Sequence, residues 1–377
     1  MKVRYVSLAA CLLGVAALAA AQDETVVKIG SAAPTSGPIA HFGKENENGA
    51  RLAVEDVNRG GLVIGGRKIR LELDAQDDGG DPRLGTQVAQ RLVDDGVVAV
   101  VGHLNSGVSI VASRIYHDAQ IAQISPNATN PQFTLQGYNT TYRLVATDAL
   151  QAPVLANYAM HTLKAKRFVV VDDATQYGQG LADQFEKTVR ANGGEVLSHE
   201  KTTDKAVDFK AILTKIKAEH PDAVFYGGFD ATGGPFARQA RQLQVNARVL
   251  GADGLCSDEM AKLAGPAAEN VVCSVAGQPA SRMARGAAFS SAYQKRFGVP
   301  VLIYAPYAYD AVMVIVDAMK RANSTDHRKI LAELPSTNYV GLIGTIRFDT
   351  HGDVADPQLA LYRFESGKMA LLDVVRP

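Results

Sequence analysis

The chain has 377 residues, 39 Lys+Arg balanced by 39 Asp+Glu, 47% apolar residues, three Cys and no Trp. At roughly 150 residues per domain this makes two domains, enough to bury a sizeable core and to enclose a cleft between them. The neutral balance supplies neither the basic footprint of a nucleic-acid binder nor a polybasic membrane patch.

Residues 1–21 read as an export signal. Lys2 and Arg4 start it, an almost unbroken apolar run follows over residues 5–20, and Ala19-Ala20-Ala21 offers a small-residue cleavage site. The run is too short to span a membrane comfortably, and Asp23 and Glu24 follow at once. Leu8-Ala9-Ala10-Cys11 also resembles a lipoprotein box, but cutting there would leave an apolar core of only a few residues. Export with cleavage near Ala21 is the expectation. It removes two basic residues and no acid, leaving a net charge of −2 and two cysteines, Cys256 and Cys273. In an oxidising compartment that pair reads as a disulfide, with two unconnected thiols as the alternative; zinc wants more ligands.

From residue 26 onward short apolar runs alternate with helical-period segments, the pattern of βαβ units on a parallel sheet. Residues 26–32 are strand-like, 45–58 carry Ala50, Ala53, Val54 and Val57 on one helical face, and Ile69, Leu71 and Leu73 alternate as a second strand. Pro82 opens a helix that ends at Gly96, and 97–101 form a continuously apolar strand, as a sheet covered on both faces requires. A second series repeats the grammar: strand 167–172, helix 178–192, strand 195–198, helix 209–219, strand 223–226 and helix 233–243. Two α/β sandwiches are implied, with short ordered crossings in place of a linker.

An internal echo links them. Gly102-His103-Leu104-Asn105-Ser106-Gly107 and Gly228-Phe229-Asp230-Ala231-Thr232-Gly233 both follow a strand and precede a helix. Glycine allows the turn, Ser or Thr is placed to cap the helix, and such loops at strand carboxyl ends suit an anion-binding cleft.

Several motifs fail. Gly37 and Gly43-Lys44 are spaced one residue too far apart for a phosphate loop, and Glu45 stands where Ser or Thr must reach magnesium. Residues 74–79 imitate a calcium loop, yet Gln76 sits at its third position and Gly85 at its twelfth. There is no Gly-x-Ser-x-Gly elbow, and Ser198-His199-Glu200-Lys201 matches Ser-x-x-Lys without its companion motifs. A secreted hydrolase would need a site assembled from scattered His and Ser residues.

Thr35-Ser36-Gly37-Pro38, Asn58-Arg59-Gly60-Gly61, Asp77-Asp78-Gly79-Gly80-Asp81-Pro82, Gly102-His103-Leu104, the run from Ile124 to Pro131, Gln176-Tyr177-Gly178-Gln179-Gly180 and Phe225-Tyr226-Gly227-Gly228 occur in this order. With them the mature chain resembles, over nearly its whole length, the periplasmic substrate-binding proteins of branched-chain amino acid ABC transporters, the leucine/isoleucine/valine-binding type. The resemblance implies a type I periplasmic binding protein: an α/β chain of two Rossmann-like lobes with parallel central sheets, a three-crossing hinge and a ligand cleft between them. Lobe one would hold residues 23–147 and 277–350, and lobe two 148–276 and 351–377.

An amino acid needs donors for its carboxylate, acceptors for its ammonium and an apolar wall. By resemblance, Ser106 and Thr129 supply the donors, with Asn105 and Ala128 beside them. The Asn127 carbonyl, the Thr129 hydroxyl and Asp253 receive the ammonium, while Phe42, Leu104, Tyr177 and Phe229 line the wall. By the resemblance, a member of the family has Glu where Asp253 stands here, Tyr at 42 and 229 and Ala at 127, and a family disulfide is absent because Gly80 and Asn105 carry no thiol. The implied function is capture of Leu, Ile or Val by a monomer and delivery to an inner-membrane permease, with no enzyme activity, cofactor, metal or nucleic acid. Phenylalanine, an amide or a short carboxylate is the alternative ligand class. A receptor sensing module is a further alternative.

Overall fold

The computed structural model describes residues 24–376; the export signal, its cleavage site and Cys11 lie outside them. Two sheets organise these residues. In the first, β1 (Thr25–Ala33), β2 (Leu62–Ile64), β3 (Arg67–Asp77), β4 (Ala99–Gly102), β5 (Ala122–Ser125) and β6 (Thr141–Arg143) lie in the order β2-β3-β1-β4-β5-β6. Helices α1 (Ala40–Gly60), α2 (Pro82–Asp94) and α3 (Ser106–Ala119) connect its strands, and β3, β1, β4, β5 and β6 run parallel. After α4 (Asp148–Asn157) the second series runs β7 (Arg167–Asp172), α5 (Gln176–Ala191), β8 (Glu195–Lys201), α6 (Lys210–Glu219), β9 (Ala223–Gly227), α7 (Asp230–Gln242), β10 (Arg248–Gly251), α8 (Asp258–Ala264) and β11 (Val271–Val275).

The chain then returns to the first sheet with α9 (Gly286–Phe297), α10 (Ala305–Ala322), α11 (His327–Glu333) and the short pair β12 (Tyr339–Val340) and β13 (Thr345–Ile346). It finishes on β14 (Leu359–Glu365) and β15 (Lys368–Val375), so the second sheet reads β15-β14-β11-β10-β9-β7-β8. The sheets are therefore mixed: β2 pairs antiparallel with β3, as does β14 with β11 and β15. Their parallel centres are buried on both faces, which is why β4, β9 and β11 read as unbroken apolar or small-residue runs.

Local chemistry sets the helix starts. Asp81 accepts the N–H groups of Arg83 and Leu84 ahead of Pro82, and Thr175 Oγ1 accepts that of Gly178. Two starts differ from expectation by three residues or more. Helix α1 begins at Ala40, five residues before position 45. Its first turn hides from the pattern because Gly43 packs on the Pro34 backbone; a Cβ there would lie 1.9 Å from that carbonyl oxygen. Helix α7 begins at Asp230, three residues before position 233.

That shift corrects the echoed loops. Ser106 is the first residue of α3 and caps nothing, because Asn105 is the N-cap and makes no side-chain cap bond. Thr232 lies inside the first turn of α7 and donates to the Phe229 carbonyl at 3.2 Å. Both loops join a strand to a helix, but their Ser and Thr are not equivalent.

Three crossings between the sheets run side by side. Ala146 N–H donates to Ala276 O at 2.9 Å, and Arg143 exchanges backbone bonds with Gly352 (2.9 Å) and Val354 (3.1 Å). Cys256 and Cys273 form a disulfide that ties the turn after β10 to β11. Among the described residues no helix is long and apolar enough to cross a membrane.

Candidate functional site

Setting the β2 edge aside, each parallel sheet has its first strand flanked by its second and third, so consecutive connections leave on opposite sides of a switch point. A crevice opens there at the strands' carboxyl ends. In sheet one it lies between β1 and β4, and the segments that follow β1, β4 and β5 carry Phe42, Leu104 to Ser106, and Asn127. In sheet two it lies between β7 and β9, and the segments after β7, β9 and β10 carry Tyr177, Phe229 and Asp253.

These two sets meet. A single small cavity is lined by Phe42, Leu104, Asn105, Ser106, Asn127, Tyr177, Phe229, Asp253, Gly254 and Tyr304, and leaves about 10 Å³ of free space. Every one of the sequence-expected residues is present except Ala128 and Thr129, which sit buried in the loop just behind. Gly254 and Tyr304 were not expected. The larger groove of about 740 Å³, lined by Lys217, Arg241, Asn246 and Glu269 among others, lies at the opposite, amino-terminal ends of the sheet-two strands.

Aromatic rings make the wall. The Tyr177 and Phe229 centroids lie 4.9 Å apart, Phe42 is 6.0 Å from Phe229, and Tyr304 is 6.3 Å from Phe42. Phe42 and Tyr304 come from the first-sheet side, Tyr177 and Phe229 from the second. Asp253 forms the polar end: Gln151 Nε2 and the Tyr177 hydroxyl each donate to Oδ1 at 3.0 Å, and the Tyr304 hydroxyl donates to Oδ2. Tyr177 oxygen in turn accepts the Gly254 N–H at 2.8 Å. Burial pushes the Asp253 carboxyl up, against the downward pull of Tyr304, Gln151 and Tyr177.

A second acid lies close by. Asp148, the first residue of α4, is fully buried with neither carboxyl oxygen in a hydrogen bond of standard geometry. Burial raises it to about 7, with the Thr129 hydroxyl and Arg143 pulling down and Asp253 pushing up. Glu45 is likewise raised to about 7 by burial, although its Oε1 accepts the N–H groups of residues 302–305 at the start of α10.

Supporting residues hold the loops. Buried Arg143 donates to the Ala128 and Asn130 carbonyls at 2.8 and 2.9 Å, to Thr134 Oγ1 at 2.7 Å, and to Asp353 at 2.7 Å. It therefore ties the Asn127–Asn130 loop to the crossings. His103 bridges Asp78 (2.7 Å) and Tyr116 (3.0 Å) below the Leu104 loop, while its carbonyl accepts Ser109 and Ser125. Asn127 Oδ1 accepts from Asn46, and its Nδ2 is buried without a partner. Ser106 Oγ accepts the Asn130 N–H at 3.2 Å. Gly80 and Asn105 face each other, a Cβ on Gly80 falling 3.4 Å from Asn105 Oδ1, where the resemblance implied a disulfide elsewhere in the family.

Two crevices at facing switch points, with one buried acid lining the cavity between them, describe a device for enclosing a small solute, and sequence comparison agrees. The periplasmic binding protein family matches residues 26–368. The chain belongs to that family. A Leu/Ile/Val-binding protein of Rhizobium johnstonii is 33% identical over 350 residues, covering 91% of this chain and 93% of the relative. Among solved structures, a leucine-binding protein of Thermotoga maritima superposes with a TM-score of 0.86 at 28% identity, covering 93% of this chain and 99% of the other. A branched-chain amino acid transporter substrate-binding protein of Streptococcus pneumoniae, in complex with isoleucine, gives 0.84 at 28% identity, with 94% and 100% coverage. The two-lobe architecture of this periplasmic binding protein is thus that of the type I class.

Proposed function

We propose that this protein captures a branched-chain amino acid, Leu, Ile or Val, outside the cytoplasm and hands it to the permease of an ABC transporter, doing no covalent chemistry. The observation that carries the reading is the cavity itself: hydroxyl and loop donors on one side, an aromatic wall around it and one buried carboxylate, Asp253, whose hydrogen-bond partners are all neutral. A zwitterion's ammonium supplies the missing counter-charge. Its carboxylate takes the Ser106 and Thr129 hydroxyls and the loop N–H groups beside Asn105 and Ala128. Its aliphatic side chain lies among Phe42, Leu104, Tyr177 and Phe229.

The mechanism is hinge closure. Residues 23–147 and 277–350 move as one lobe, and 148–276 and 351–377 as the other, about the three adjacent crossings. The free space of about 10 Å³ holds no more than about one water, so an amino acid reaches Asp253 only when Tyr304 and Phe42 draw away from it and from Phe229. Ligand bound on lobe one then recruits Tyr177, Phe229 and Asp253. The protein acts in the periplasm as a monomer after cleavage near Ala21.

The test is a thermal-shift screen of the twenty amino acids on protein unfolded and refolded to strip co-purified ligand. Leu, Ile or Val at a hundredfold excess over Kd should add about 2.7 kcal/mol of stability. A flat screen would sink the assignment, and response to an amide or a short carboxylate alone would replace it.

A further inference from the structure

Outside the cavity, a histidine–aspartate pair spans the cleft. His41 lies in the first turn of α1, on the first-sheet side, and Asp230 opens α7 on the second; His41 Nε2 lies 2.8 Å from Asp230 Oδ2. Neither residue lines the cavity. Each is next in sequence to an aromatic wall residue, Phe42 and Phe229, so the pair sits at the rim just beyond the rings. Asp230 is fully buried, accepts from the Ser257 hydroxyl on the same oxygen, and leaves Oδ1 without a partner. His41 keeps about a quarter of its side-chain surface, 26%, in contact with solvent. Parting the lobes separates the two groups and returns His41 to water.

We propose that His41 and Asp230 form a protonation-dependent latch that sets ligand affinity from outside the pocket, tightening retention on acidification and easing release as pH rises. The proposal rests on the binding-protein reading above. When the cleft is shut, the groups that face His41 are Asp230 on α7, Glu259 on α8 and Glu45 on α1. Burial lowers the imidazole's proton affinity, but the Asp230 hydrogen bond and the charges of Asp230, Glu259 and Glu45 outweigh it, and the net shift is upward. With the cleft open the ring titrates near its ordinary value of about 6.5. Closure therefore takes up a proton. The added affinity is complete below about pH 6.5 and fades as pH rises through the raised, closed-state value.

A pair with one partner buried and the other still partly open to solvent corresponds to about a two- to fivefold change in Kd. The experiment is calorimetric titration of leucine at pH 6.0 and 8.5 into wild type, His41→Gln and Asp230→Asn. Glutamine keeps a neutral donor and loses the charge. Wild type should bind about two- to fivefold more tightly at pH 6.0 than His41→Gln, and the two should converge at pH 8.5. Slopes common to both chains belong to Asp148, Glu45 or the ligand's own amine. Wild-type and His41→Gln curves that superimpose at both pH values overturn the latch. If no amino acid binds wild type at either pH, the ligand assignment falls and the latch is read by small-angle scattering of the ligand-free chains. His41→Gln should then be more open than wild type at pH 6.0, and identical profiles overturn it.

Discussion

Replacing Asp253 by Asn separates the role of this residue in binding from its role in folding. The residue is 4% exposed, and Gln151, Tyr177 and Tyr304 donate to its carboxylate. In the liganded protein the ammonium is the only cation offered to it, so removing the charge strands that ammonium in a dry pocket. Breaking a buried pair costs about 3–5 kcal/mol, which is roughly two to four decades in Kd. The ligand-free protein feels two opposed effects. Asn removes a charge whose burial is unfavourable, as the upward shift of Asp253 records. Its amide N–H groups, however, meet hydroxyls that now donate, and one unsatisfied group costs about 1–3 kcal/mol. These nearly offset. At about 2–4 °C per kcal/mol for a domain of this size, the ligand-free melting temperature should move by less than about 5 °C while affinity collapses. Differential scanning calorimetry and titration calorimetry on the same preparations measure both. A loss of affinity below about fivefold, within the range of an exposed ion pair, would refute the reasoning and put a ligand without an ammonium in first place.

Asp148 and Glu45, each raised to about 7, have folded-state pKa values above their unfolded ones, so their contribution is fully present below about pH 4 and is lost as pH rises through 7. Melting temperature should therefore fall between pH 5.5 and 8, as about 2 kcal/mol of stability is lost per group, and Asp148→Asn should flatten part of that slope; an unchanged slope removes Asp148 from the account. Reducing the Cys256–Cys273 bridge, which closes a separation of 17 residues, should cost roughly 3 kcal/mol in the chain-entropy model. It should also weaken binding, because Cys256 directly follows the turn that carries Asp253, and thiol labelling of unreduced, denatured protein should find neither sulfur free. Ser106→Ala should weaken binding about ten- to a hundredfold, the loss of one hydrogen bond to a charged group. Unchanged affinity in calorimetry would leave Ser106 only as the acceptor for Asn130.

The parallel core was legible because a strand covered on both faces has no polar positions to confuse its period; residues 97–101 and 223–226 declare themselves without help. The start of α2 was legible because Asp81-Pro82 writes it, whereas the Thr175 cap starts α5 two residues ahead of the expected position and packing sets the start of α1. The first turn of α1 depends on Gly43 lying against Pro34, and the start of α7 at Asp230 breaks an echo that the residue types alone suggested. The antiparallel finish of sheet two and helices α9 to α11 carried no spacing that set them apart from further βα units.

The part of the site that sequence leaves out is the part that exists only between the lobes. Leu104, Ser106, Asn127, Tyr177 and Asp253 each occupy a strand's carboxyl end, a place local patterning can mark. Tyr304 reaches Asp253 from a position 51 residues further along the chain, and only because Glu45 gathers the N–H groups of 302–305 and fixes the start of α10. Asn130 Nδ2 likewise donates to Gln176 O at 2.7 Å across the same cleft. Neither contact has a periodicity behind it, and although Asn130 and Gln176 both lie in runs that carry the family resemblance, each contact depends on how two separately folded sheets are set face to face. Such contacts break when the lobes part, so they weigh on the balance between open and closed protein and hardly on the stability of either lobe. A substitution at Tyr304 or Asn130 should accordingly alter Kd with little change in the ligand-free melting temperature, whereas one at Arg143, whose buried guanidinium is bonded within its own loop and crossing, acts on folding first.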